Sequence, residues 1–182
     1  MKMAALPHIL LFLAALFFAS SSSVLAQNNT QLIYQTCKQT NYSDLCVSSL
    51  ESDPRSSTAD LSIYAKIIVE LSLSNATDTY SYSYKLSSNQ TIDDEVLKMC
   101  LYDCLQVYDI GINNLRQSLI YLDLKEYIQV IRLLGVAQKQ GEQCDQFFEN
   151  PPVPKPRSPL TRRNEVFEQL CSIAIVIVKL LG

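Results

Sequence analysis

From Leu97 to Leu122 an apolar or small residue returns every three or four positions: Leu97, Leu101, Cys104, Tyr108, Gly111 or Ile112, Leu115, Leu119 and Leu122. A helix turns once in 3.6 residues, so this stripe predicts one long helix with a single face to bury. The chain supplies partners for that face. Leu61, Tyr64, Ile68 and Leu71 step by three and four before it, and Tyr127, Ile131, Leu134, Ala137, Gly141, Cys144 and Phe148 carry a third helix after it. Pro151, Pro152, Pro154, Pro156 and Pro159 then break the pattern, because proline lacks the N–H that a helix interior needs. A last helix is expected from Ser158-Pro159 to Leu181, apolar nearly all round at Ile173 to Val178, as a helix inside a bundle would be. Ser57-x-x-Asp60 and Thr91-x-x-Asp94 read as capping starts for the first two helices. Tyr80-Ser81-Tyr82-Ser83-Tyr84 alternates like a strand, but no partner strand is in sight, and it reads as a helix end. Short links force neighbouring helices to run antiparallel. The expected fold is all-α, an antiparallel up-down four-helix bundle. Ahead of it, Gln31 to Leu50 forms a small helical hairpin, too short to bury a core of its own.

Residues 1–26 read as a secretory signal peptide: Lys2, the apolar run within Ile9 to Ala19, and Val24-Leu25-Ala26 as the cleavage site. The apolar run is shorter than the roughly 20 residues that span a membrane. The mature chain then begins at Gln27 and is one domain, 27–182, with the hairpin at 27–56 and the bundle at 57–182. A secreted location, in the apoplast or cell wall or in the vacuole, follows. So do four glycosylation candidates of the N-x-[ST] type: Asn28, Asn41, Asn75 and Asn89.

Cleavage removes His8, the only histidine in the chain. Imidazole is the side chain that titrates near neutrality, so Ser-His and Cys-His catalysis and histidine zinc sites are excluded. Without Lys2 the chain has 14 Lys+Arg against 18 Asp+Glu, a poor balance for nucleic acid or anionic membrane. An enzyme using carboxylates alone would need pairs such as Asp93/Asp94 or Asp103/Asp109, yet their spacing shows no convergence. The basic cluster Lys155, Arg157, Arg162 and Arg163 reads as a solvated loop. No cofactor is called for. A secreted carrier of lipid or another small ligand is a further class, disfavoured because large side chains fill the stripes.

Six cysteines survive cleavage: Cys37, Cys46, Cys100, Cys104, Cys144 and Cys171. Secretion and the lack of any C-x2-C favour disulfides over a metal site. Cys100 and Cys104 sit one helical turn apart, with Cβ atoms about 5–6 Å apart, too far for a disulfide to each other. Cys37 with Cys46 is the local pair, and Cys104 with Cys144 is the next choice, since both lie on facing stripes. Cys100 and Cys171 are left, either as a third bridge or as two buried free thiols.

The chain resembles the plant invertase inhibitor and pectin methylesterase inhibitor family over its mature length. The match is carried by C-x8-C at Cys37 and Cys46, SLESDPRSSTADL from Ser49 to Leu61, DCLQVYD from Asp103 to Asp109, Gln143-Cys144-Asp145 with Phe148, and the apolar C-terminal helix. Within the family it is most similar to the pollen-allergen type of invertase inhibitor. The resemblance implies a hairpin on a four-helix bundle, bridges Cys37–Cys46 and Cys104–Cys144, and a secreted inhibitor rather than an enzyme. Its partner would be acid invertase, a glycoside hydrolase with paired carboxylates in its cleft, or alternatively pectin methylesterase. Cys100 and Cys171 fall outside the family's four-cysteine pattern. Known invertase inhibitors carry Pro-Lys-Phe at the start of the third bundle helix, where it enters the sucrose pocket. Here the place reads Leu124-Lys125-Glu126-Tyr127, so the resemblance puts the target-binding residues at Lys125, Glu126 and Tyr127. The proline is missing and Glu126 adds a negative charge. On the plainer reading, Tyr127 opens a core stripe and its two charged neighbours are solvated.

Overall fold

Asp60 and Asp94 set where the two longest helices begin. In the computed structural model, which describes residues 30–58, 60–150 and 156–182, each is an N-cap. Asp60 accepts hydrogen bonds from the Ser62 and Ile63 amides at 2.9 and 3.1 Å, and Asp94 accepts one from Leu97 at 2.9 Å. The capping reading therefore needs correcting at its first residue. Ser57 lies in the preceding 3-10 turn, Pro54–Thr58, where its hydroxyl donates to the Pro54 carbonyl at 2.7 Å. Thr91 lies in a turn where its hydroxyl donates to Asn89 Oδ1 at 2.8 Å. A carboxylate one residue before the first turn captures the free amides itself, with no help from a residue three places back. The expected signal peptide at 1–26, the Gln27 start, Asn28, Pro151, Pro152, Pro154 and Lys155 lie outside the described residues.

The described residues are all helical apart from turns. Helices α1 (residues 30–37) and α2 (Ser43–Glu51) form the hairpin, joined by the Cys37–Cys46 disulfide with Cα atoms 5.4 Å apart. Helices α3 (Leu61–Ser87), α4 (Glu95–Asp123), α5 (Tyr127–Glu149) and α6 (Thr161–Lys179) form the bundle. Tyr80 to Tyr84 belongs to the last turns of α3. The fourth bundle helix opens at Thr161 rather than Ser158-Pro159: Ser158 Oγ instead accepts the Leu160 amide at 3.1 Å, holding those residues in a turn.

α3 packs on α4 and α6, and α5 packs on the same two helices, so α4 and α6 face each other across the diagonal. Lys66 at the start of α3 pairs with Asp123 at the end of α4 at 2.8 Å, which registers those helices antiparallel. α2 rests against α3 and α6 at that same end. The hairpin is held there by Arg55, whose Nη2 lies 2.6 Å from Asp53 and 2.7 Å from Glu70 of α3. The Arg55 side chain holds the Asp53 carboxyl below the usual carboxylate range.

Leu101, Cys104, Tyr108, Ile112, Leu115 and Leu122 of α4 are buried, as are Leu134, Ala137, Cys144 and Phe148 of α5. The diagonal is filled by Tyr108 and Phe167, whose ring centroids are 5.4 Å apart. Tyr108 is fully buried and donates its hydroxyl to Asn164 Oδ1 at 2.7 Å. Burial drives its phenol well above the ordinary tyrosine value, so it stays protonated and keeps its proton for Asn164. Replacing Tyr108 by Phe leaves the buried Asn164 oxygen without its donor. We expect a loss of about 1–3 kcal/mol, read as a lower urea midpoint with unchanged slope.

Candidate functional site

The link between α4 and α5 is three residues long, Leu124 to Glu126, and it must reverse the chain. It does so by a Schellman closure: the Lys125 amide donates to the Leu122 carbonyl at 3.0 Å and the Glu126 amide to the Tyr121 carbonyl at 2.9 Å. The residue at the hinge of that motif takes the left-handed conformation, normally filled by glycine. Here it is Lys125, with φ 60°, the one non-glycine residue with positive φ among those described. An L-residue held there is strained by roughly 1 kcal/mol or more relative to glycine.

The turn presents an exposed set. Lys125 and Glu126 are exposed, and Lys125 enters none of the ion pairs formed among the described residues. Leu124 is 64% and Ile128 76% exposed, which makes them the apolar part of the corner. Tyr127 differs from its two neighbours. It is half-buried, packs on the core, and its ring lies so close to Gly182 that a Cβ there would stand 2.9 Å from it. The structure thus brings Lys125, Glu126 and Tyr127 together at one end of the bundle, beside the hairpin end, with Tyr127 turned partly inward. Ile128 was not legible as a site residue. Its signal is that it stands off the Tyr127–Ile131–Leu134 stripe, an apolar residue on the solvated side of its helix.

Cys104 and Cys144 are bridged, with Cα atoms 4.8 Å apart, tying the first third of α4 to the last third of α5. Cys100 and Cys171 are free and buried, so the third bridge is not formed. The reason is the diagonal. Cys100 Sγ donates to the Phe147 carbonyl of α5 at 3.2 Å, whereas Cys171 is enclosed on α6. Burial raises both thiols, and that of Cys171 is pushed up to about 12.

Of the remaining candidates, Asn41 is exposed at the hairpin turn. Asn75 is half-buried within α3, its Oδ1 enclosed without a hydrogen bond. Asn89 Oδ1 accepts the Thr91 amide and hydroxyl at 3.0 and 2.8 Å. The acid pairs serve local structure: Asp94 caps α4 and Asp109 accepts from Asn113 at 3.2 Å. The basic cluster is dispersed, Arg162 pairing with Glu165 at 3.0 Å and Arg163 lying 4.5 Å over the Tyr82 ring. Among the described residues no group of acidic, cysteine or histidine side chains has the geometry to hold a metal, and no helix is long and apolar enough to cross a membrane. Surface depressions are found instead, such as one of about 510 Å³ on the hairpin lined by Tyr34, Lys38, Asp44 and Val47.

The described residues thus combine a core of large buried side chains with one strained, exposed turn. Residues 31–177 match the plant invertase/pectin methylesterase inhibitor family, and the chain belongs to that family of enzyme inhibitors, which are not themselves catalysts. It is 39% identical over 142 residues to the "Cell wall / vacuolar inhibitor of fructosidase 2" of Arabidopsis thaliana, covering 77% of this chain and 78% of that protein. It is 30% identical over 174 residues to the pectinesterase inhibitor of Actinidia deliciosa, covering 95% and 89%. In three dimensions it is similar to a mutant form of a pectin methylesterase inhibitor from Arabidopsis, with TM-score 0.69, 20% identity, and 80% and 94% of the two chains covered.

Since both free thiols are enclosed, a thiol reagent added to the folded, unreduced protein should label neither quickly and both after unfolding. Mass spectrometry reads this directly. Two labels in denaturant fit the structure, and none would mean a third bridge in solution.

Proposed function

We propose that the chain inhibits a plant acid invertase, a β-fructofuranosidase, by seating the α4–α5 turn over the active-site cleft. The observation that carries this reading is Lys125, an exposed cation standing at the left-handed hinge of the turn, where glycine would close the link with less strain. Strain of that kind persists where a turn has a task. A glycoside hydrolase cleft holds paired carboxylates, and an exposed ammonium on a fixed backbone is a complementary charge for them. Glu126 beside it opposes those carboxylates and limits how deeply the turn enters. Tyr127 supports the turn from behind, while Leu124 and Ile128 supply apolar contact. The fructosidase inhibitor relative favours this target. Action in the apoplast, cell wall or vacuole goes with it, where such an enzyme works.

Inhibition of pectin methylesterase is the second reading, favoured by the Actinidia relative and by the similar solved structure. Assays of the purified protein against both enzymes at acidic pH separate the two. Invertase loss alone supports the first, esterase loss alone the second. Loss of neither overturns both and leaves a secreted helical protein, such as a carrier, without inhibitory activity. Lys125→Gly adds a sharper test. Relief of strain should raise stability by about 1 kcal/mol, while removal of the ammonium should weaken inhibition by about 10–100-fold. Unchanged inhibition by this variant would remove the turn from the contact.

A further inference from the structure

α5 and α6 meet along a row of carboxylates. Glu142, Asp145 and Glu149 line α5, and Glu165 and Glu168 line α6. At Gly141 the two helices come close. An ideal Cβ on Gly141 would stand 2.7 Å from Glu168 Oε1, 2.9 Å from its Cγ and 3.2 Å from the Asn164 carbonyl oxygen. The Glu168 side chain therefore lies flat over the α5 backbone, half-buried, in space that any other residue at position 141 would fill.

Cations near this seam are engaged elsewhere or sit at one end. Arg162 pairs with Glu165 at 3.0 Å, and Arg163 of α6 stacks over Tyr82 of α3. Arg157, in the segment before α6, borders a depression with Asp145 and Glu149. From α4 the seam is met by Tyr108, whose hydroxyl is committed to Asn164. Asp145 receives a hydrogen bond from the Thr161 hydroxyl at 3.2 Å. Asn164 Nδ2 is buried and makes no full hydrogen bond. Nothing among these groups neutralises Glu168.

We propose that the α5–α6 seam is a pH-dependent clasp, in which protonation of Glu168, packed over Gly141, and of nearby Asp145 removes the cost of holding their charges between the two helices and makes the folded protein more stable in acid than at neutrality. Burial is the first cause that raises both carboxyls. For Glu168, the charges of Asp145, Glu142 and Glu165 add to it; for Asp145, those of Glu149 and Glu165 add, partly offset by Asn164 and Thr161. A carboxyl raised on folding is penalised while charged. The penalty is full above its folded pKa, fades as pH falls through that value, and is gone below the ordinary carboxylate range. The direction is opposite to that of Asp53, whose pairing with Arg55 is lost in acid. A protein made at near-neutral pH and delivered to an acidic compartment would firm up on arrival.

Thermal unfolding of the full mature protein between pH 7.5 and 5.0 tests this. Tm should rise as pH falls, and Glu168→Gln should flatten much of the rise, unfolding at pH 7.5 at a higher temperature than the native chain does at that pH. Glu165→Gln, at a carboxylate already paired with Arg162, should leave most of the slope in place. A Glu168→Gln profile parallel to that of the native chain would overturn the proposal. So would a carboxyl titration of Glu168 by NMR with its midpoint in the ordinary glutamate range, a measurement that holds even if a variant folds poorly.

Discussion

The arrangement depends on how closely α4 and α5 are drawn together. Helices usually pack with axes 8–10 Å apart, the spacing being set by the side chains between them. Here the Cys104–Cys144 bridge brings two Cα atoms to 4.8 Å, and Gly111 presents no side chain where α4 meets Gln140 of α5. Gly111 admits Gln140 and Phe167 at ordinary contact distances, while Gly141 admits Glu168 from the far side of α5. At the other end of the same pair the chain crosses from α4 to α5 in three residues, with a left-handed residue at the hinge, and on the α6 side the Glu168 side chain lies over the α5 backbone at Gly141.

Much of this was legible before any coordinates. The 3,4 spacing from Leu97 to Leu122 and from Tyr127 to Phe148 marks buried stripes, since period alone decides which residues share a face. Proline at 156 and 159 marked the break before α6. What was not legible has a common cause: polar residues that are buried because they satisfy themselves locally. Ser72 and Thr79 of α3 are fully buried, their hydroxyls returned to the Ile68 and Asn75 carbonyls at 2.8 Å. Ser83 donates across to the Leu101 carbonyl of α4 at 2.9 Å. With Ala76 they form a narrow row at steps of four, three and four that lets neighbouring helices approach, yet hydropathy scores them as surface. At the candidate site, the place of Lys125 came from resemblance, whereas its conformation came only from the geometry of the link. Nothing in Leu-Lys-Glu-Tyr announces a positive φ, because the residue that normally announces it is glycine.

The interior also contains more polar commitment than a helical core requires. Tyr108, Phe167 and Asn164 occupy the centre of the bundle, and one hydroxyl-to-amide bond joins α4 to α6 across its diagonal. A pair of leucines would fill such a volume with less desolvation. A buried hydrogen bond of this kind contributes modestly to stability, but any slip of α6 along α4 breaks it and exposes the full cost of two unpaired polar groups. It thereby fixes the register of α6, and with it the position of Glu168 over Gly141 and of Gly182 against Tyr127.

That fixing bears on how a protein of this family can inhibit. Association costs the freedom of whatever must be ordered at the interface, so a rigid contact surface binds more tightly than a loose one of the same composition. The α4–α5 turn is rigid in a specific way. Two backbone hydrogen bonds close it, and Tyr127 wedges it against the residues that follow α6. The strain at Lys125 is sustained by the folding energy of the core, so the backbone of the turn is already ordered, and a partner that met it would be spared the cost of ordering that backbone. The Lys125 side chain itself keeps the freedom of a flexible stem.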